Sequence, residues 1–262
     1  MIEAACPGAD SAYLNLGAFL KEAEIRPLLP QLRELGRRYK ARYAEAYALM
    51  RAGTALLPKN LPGLWGEQER ERVEKKAAAL AARELPRKNT RGELRKRYLS
   101  AFSCRGRLRL DGTLASAAER VIVADNALGL GHVFVEAFAE AALARGYDAV
   151  LCPDPLEPEK TEALLIGEAR LALLAAERSD GPALPGLRHL RLDALADRET
   201  LAENRALLRF RRKESARLLD AAAGTLAGAT ELHDALEALY RPHVDFDAAS
   251  ALAREHIAAL GL

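Results

Sequence analysis

Arg120–Cys152 reads RVIVAD, NALGLGH, VFVEAFAEAALARGY, DAVLC. Four apolar residues, Val121 to Ala124, are bounded by charge and predict a buried strand; Gly129 and Gly131 punctuate the turn after it. Val133, Phe134, Val135, Ala137, Phe138, Ala141, Ala142 and Leu143 then form an apolar face at helical spacing, with Gly146 where a helix C-cap falls. A second apolar run, Ala149 to Cys152, follows. The order strand, glycine turn, helix, strand is a βαβ unit, which builds parallel sheets and can hold a phosphate at its first turn.

The chain around this unit has 262 residues, enough for one large domain or two small ones. Half of the residues are apolar and 5% aromatic, which predicts a helix-rich α/β protein. With 39 basic and 37 acidic residues, overall charge gives no argument for nucleic acid or membrane. Cys6, Cys104 and Cys152 are odd in number and far apart, a pattern of reduced thiols rather than a disulfide framework. The N-terminus lacks the basic start and apolar core of a signal peptide, and no apolar run approaches a membrane span, so a cytoplasmic chain is expected.

Residues 1 to 12 read as a loose lead-in, and 18 to 57 as helical, with a tyrosine stripe (Tyr39, Tyr43, Tyr47) expected to pack between amphipathic helices. Lys59 to Gly66 is a loop; Glu67 to Leu85 is a polar helix with opposite charges at neighbour spacing. From Arg83 to Arg97, seven basic residues meet only Glu84 and Glu93, a segment that a nucleic acid would find attractive although no binding module surrounds it. Leu108 and Leu110 predict a short strand before a tight turn at Asp111-Gly112. Past Cys152, a proline-rich acidic loop precedes a short helix at Thr161 to Ile166, a buried strand at Leu171 to Ala176, a loop at 179 to 186 and a strand at Leu187 to Leu192. Helices are expected from Asp197 to Ala223, Glu231 to Tyr240 and Phe246 to Leu260, with a break at Gly224 to Gly228.

A phosphate-binding loop has the pattern G-x-x-x-x-G-K-[ST] between strand and helix. On this stretch the pattern puts Asn126 at the first glycine, Gly131 at the second, His132 at the lysine and Val133 at the hydroxyl. Gly129, Leu130 and Gly131 can still make an anion-receptive nest of backbone N–H groups. Val133 cannot hold magnesium, and the strand at Leu171 to Ala176 carries no carboxylate before Glu177. Ordinary magnesium-dependent hydrolysis is therefore not expected. His233, Asp234 and Glu237 with His243 and Asp245 have the residue types of a zinc site, but helix-surface neighbours at this spacing argue for none. Ser100, Ser103 and Cys104 have no partner base evident in sequence, and Cys152 reads as inert core.

Several of these pieces resemble a family. The glycine turn, Ala144-Arg145-Gly146-Tyr147-Asp148, Cys152-Pro153, Leu232 to Glu237 (LHDALE) and Asp245-Phe246 are similar to the second half of bacterial ATP-binding proteins with tandem P-loop NTPase halves. Leu14 to Gly17 (LNLG) resembles the end of the first half, and Ala101-Phe102-Ser103 with Gly106 the start of the second. The resemblance implies a P-loop-NTPase-like parallel sheet over residues 97 to 193, inside an α/β domain of 97–262 after a helical region of 1–96. It also implies a nucleotide, ATP or another, at Asn126, Gly129, Leu130, Gly131, His132 and Val133. A protein partner carrying an intact P-loop half is a further expectation. Three functions stay open: a degenerate P-loop protein with weak nucleotide or phosphate binding, a non-catalytic regulatory subunit, and a nucleic-acid binder through Arg83 to Arg97.

Overall fold

The computed structural model describes residues 14–177, 180–182 and 187–259. In chain order the helices and strands are α1 (Glu22–Ile25), α2 (Leu29–Ala55), α3 (Glu67–Glu84), β1 (Leu94–Lys96), β2 (Ser100–Ser103), β3 (Gly106–Arg109), α4 (Asp111–Ala117), β4 (Arg120–Asp125), α5 (Leu130–Ala144), β5 (Ala149–Pro153), β6 (Thr161–Ile166), β7 (Leu171–Ala176), β8 (Arg188–Leu190), α6 (Arg198–Glu203), α7 (Arg205–Tyr240) and α8 (Phe246–Ala259). The chain divides into two compact units, the described residues of Met1–Tyr43 with Gly228–Leu262, and Ala44–Ala227.

The larger unit holds a six-stranded sheet in the order β1-β5-β6-β7-β4-β8, and a separate β2-β3 hairpin. Strand β4 pairs in parallel with β7 and β8, and β1 in parallel with β5. The sheet is nevertheless mixed, which corrects the expectation of an all-parallel sheet. Strand β6 runs antiparallel to both β5 and β7. Its residues, Thr161 to Ile166, were the expected short helix. They alternate between the two faces of the sheet, and the turn from Gly167 to Arg170 is too short for a parallel crossover. The βαβ unit itself is present, but β6 and β7 lie between its two strands.

Burial explains the apolar runs. On β4 and β7, Ile122, Ala124, Leu171, Leu173 and Ala175 join the core beneath α3 and α5, which includes Val73, Leu80, Phe134 and Phe138. The intervening Val121, Val123, Ala172, Leu174 and Ala176 pack on the other face with Leu99 and Leu114. A strand covered on both faces has no polar side to alternate with, hence RVIVAD and LALLAA. Helix α3 is polar only outward: Val73, Ala77, Leu80 and Ala81 are buried, while Arg70–Glu74 and Glu71–Lys75 pair on its solvent side.

Two further expectations change. Asp111-Gly112 opens α4 instead of making a tight turn. The break at Gly224 to Gly228 is absent, because α7 runs unbroken from Arg205 to Tyr240. An interior glycine costs a helix only about 1 kcal/mol, and Ala222, Leu226 and Ala229 are buried around these two. The lead-in of residues 1 to 12, Leu260 and most of the loop at 179 to 186 lie outside the described residues.

The smaller unit is helical. Leu20 and Val244 form an isolated antiparallel bridge, and Asp245 N–H donates to the Phe19 carbonyl at 2.9 Å. Tyr39 packs edge-on against Tyr43, with ring centroids 4.8 Å apart, and near His233 at 5.8 Å. Among the described residues no helix is long and apolar enough to cross a membrane.

Candidate functional site

The glycine turn follows β4 at the carboxyl end of the sheet, where open α/β folds place their ligands. Asp125 Oδ1 accepts the Ala127 N–H at 3.0 Å, and Asn126 N–H extends the ladder to the Ala176 carbonyl at 3.1 Å. Gly129 N–H closes the turn on the Asn126 carbonyl at 3.1 Å, with φ +82° in the left-handed region that favours glycine. Helix α5 begins at the next residue. Its His132 N–H is taken by Asn126 Oδ1 at 3.2 Å, so the side chain at the first-glycine position caps the helix internally.

The turn is packed from both sides. A Cβ on Gly131 would lie 2.7 Å from Asn126 Cβ and 2.9 Å from the Ala124 carbonyl; one on Gly129 would lie 2.9 Å from the Lys59 carbonyl. Trp65 Nε1 donates to the Leu128 carbonyl at 2.8 Å. The residues 58 to 65 therefore lie over the turn. Of the six residues expected to contact a nucleotide, Leu130 and Val133 point into the core beneath α3 and α5.

The residues present do not fit a nucleotide-bound magnesium. Burial drives the His132 imidazole down to about 4, helped by the positive charges of Lys160 and Lys59, so it is neutral near pH 7. Its buried Nδ1 has no hydrogen-bond partner. Val133 offers no oxygen. Strand β7 lies beside β4 in the position for a second metal-holding acid, but ends in Ala176; the next residue, Glu177, lies 3.6 Å from Arg212.

Beside the turn stands a buried ion cluster that motif-reading missed. Arg107 Nη2 contacts Asp154 Oδ2 at 3.2 Å and Glu162 Oε1 at 3.1 Å. Lys59 Nζ contacts Asp154 Oδ2 at 3.4 Å and Glu157 Oε2 at 2.7 Å. Lys160 Nζ reaches Glu157 Oε1 at 2.6 Å, and Ser100 Oγ donates to Glu162. Asp154, Glu157 and Glu162 are all at most 5% exposed. Burial alone raises the Asp154 and Glu157 carboxyls. For Asp154, Lys59, Arg107 and the Leu156 N–H outweigh that and leave it below its ordinary range. For Glu157, Lys59, Lys160 and Asn60 do the same. Burial likewise lowers Arg107, while Asp154 and Glu162 raise it by more.

Asp154 and the arginines Arg107 and Arg109 line a cavity of about 210 Å³, with Asn126, Phe102, Ala176 and Leu219. The signal for this cluster was legible in part: DPLEPEKTE follows a strand at the ligand-binding end of the sheet, dense in charge. Its partners Lys59 and Arg107 come from distant segments, with no motif to point to them.

The remaining candidates are dispersed. In the basic segment, Lys88 pairs with Glu168 and lies 4.0 Å from the Tyr147 ring centre, and Arg83 pairs with Glu84. Arg95 and Lys96 sit on β1, an exposed edge strand, where charge discourages pairing with another chain. His233, Asp234 and Glu237 come together at the surface with ligand atoms within 4.8 Å, whereas His243 is held by Glu24 at 2.9 Å. Ser100 is buried; Ser103 Oγ accepts the Arg105 N–H at 3.1 Å, and Cys104 is exposed. Burial pushes the Cys152 thiol up to about 12, with Glu162 adding to the shift, so it is an inert core thiol.

Comparison with protein-family models, with curated proteins and with solved structures gives no match to this chain.

Proposed function

We propose that this chain is a P-loop-NTPase-like protein that keeps the strand, turn and helix of a phosphate-binding unit and does not hydrolyse nucleotide with magnesium. The observation that carries the reading is the internal use of the turn: Asn126 Oδ1 takes the His132 N–H, and the residue at the lysine position is a neutral histidine. Hydrolysis needs a fixed cation and a metal at the transferring phosphate, and Val133 and Ala176 supply neither. The backbone geometry still supports weak binding of a nucleotide or phosphate near the turn.

A phosphate-release assay with ATP and magnesium tests this. Turnover should equal that of buffer, and calorimetry should give an ATP dissociation constant of about 1 mM or weaker that magnesium does not improve. Magnesium-dependent turnover abolished by Gly131→Asp would overturn the proposal.

A second reading, a non-catalytic subunit that pairs with a protein carrying an intact P-loop half, is favoured by one feature of the smaller unit. Leu16, Leu20, Leu29, Tyr240, Phe246 and Ile257 are all large, apolar and exposed there. Light scattering of the purified chain, alone and with a candidate partner, tests it; a monomer with no partner at micromolar concentration argues against it.

A further inference from the structure

Three donors converge on one buried carboxylate beside the glycine turn. Lys160 Nζ at 2.6 Å and Asn60 Nδ2 at 2.8 Å both reach Glu157 Oε1, and Lys59 Nζ lies 2.7 Å from Oε2. The donors are linked to each other, since Lys160 Nζ also donates to Asn60 Oδ1. Two cations and an amide around a single oxyanion is the donor set that recognises phosphate. Here the chain's own Glu157, 5% exposed, occupies it.

The occupant fits imperfectly. Oε2 is buried with Lys59 Nζ, at 2.7 Å, as its one cation, so a flat carboxylate leaves that oxygen with fewer partners than Oε1. Glu157 also shares Lys59, whose Nζ lies 3.4 Å from Asp154 Oδ2. At the neighbouring His132, the positive charges of Lys160 and of Lys59 each weigh more than the negative charge of Glu157. Asn60 and Glu157, without the two lysines, line a groove of about 470 Å³ with Tyr47, Arg51 and Thr54.

We propose that Lys59, Asn60 and Lys160 form an oxyanion cradle that Glu157 fills as an internal stand-in, and that a phosphoryl group, as inorganic phosphate or at the end of a nucleotide, binds there when Glu157 withdraws. The tetrahedral dianion offers more acceptor oxygens and more charge than the carboxylate it replaces. In the resting chain Glu157 competes at very high local concentration, so external phosphate binds weakly. Removing the competitor makes the cradle a site.

The test titrates inorganic phosphate into the full chain by calorimetry, at constant ionic strength set with sodium chloride. Glu157→Ala should bind at least tenfold tighter than the unaltered chain, and adding Lys59→Met to Glu157→Ala should abolish the gain. ATP in place of phosphate separates the two sources: tighter binding of ATP assigns the groove residues to the rest of a nucleotide, and equal binding assigns the site to phosphate alone. Should Glu157→Ala fail to fold, Glu157→Gln keeps the shape, and phosphate but not chloride should raise its melting temperature. A folded Glu157 variant that binds phosphate no better than the unaltered chain overturns the proposal, as does a gain that survives Lys59→Met. Neither result bears on hydrolysis, which the phosphate-release assay reads separately.

Discussion

The glycine turn and the ion cluster beside it are opposites. The turn, Asn126 to Val133, joins a strand to a helix through a left-handed glycine, and its side chains are apolar, neutral or used internally. The cluster of Lys59, Arg107, Asp154, Glu157, Lys160 and Glu162 belongs to no motif, yet it gathers three cations and three carboxylates. One is local in sequence, the other is assembled from segments about a hundred residues apart.

The sharpest way to break this contrast is to remove a charge from the cluster. Glu162→Ala removes one of the two carboxylates that hold Arg107 and the acceptor of the Ser100 hydroxyl, and an unfolding titration in urea should show a loss of about 3–5 kcal/mol. A loss below about 1 kcal/mol would mean that the cluster behaves like surface charge.

Acid should separate the two regions next. The folded His132 pKa of about 4 lies below the ordinary 6.5, so the unfolded chain takes up the proton first as pH falls. Stability should therefore drop between pH 6.5 and 4 by roughly 3 kcal/mol, and His132→Gln should flatten that part of the profile. The contribution of Asp154 and Glu157 has the same sign and a different cause, attraction to cations instead of burial. Their folded values are depressed, so it is fully present above their ordinary 3.8 and 4.5 and is lost further down, as pH falls through the lowered values.

Packing at the turn gives a smaller effect. Gly131→Ala drives a methyl group into Asn126 and the Ala124 carbonyl and should cost about 1–3 kcal/mol in the same titration. A neutral result would show that the turn can open. The smallest change should be a gain: Gly224→Ala, in the unbroken middle of α7 with nothing within 4 Å of the new methyl, should raise stability by about 0.5–1 kcal/mol, read as a higher melting temperature.

Most secondary structure near the turn was legible because its causes are local. A doubly covered strand must be a run such as Val121 to Ala124, a left-handed turn favours Gly129, and α5 carries its apolar face at helical spacing. Thr161 to Ile166 misled because six residues are compatible with a helical turn or a strand until the neighbours on either side are known. The glycines of α7 misled for the converse reason, since burial around Ala222 and Leu226 outweighs a small local penalty.

The sequence by itself determined the α/β class, the strand-turn-helix unit and the want of a magnesium-holding hydroxyl at Val133, because side-chain identity and short-range backbone preference suffice for all three. Only the tertiary structure decided that β6 slots antiparallel between β5 and β7, that the residues 58 to 65 cover the turn, and that Lys59, Asn60 and Lys160 meet on Glu157. Pairing of strands and of buried charges is set by which distant groups share a low-dielectric space, and spacing along the chain carries no record of that.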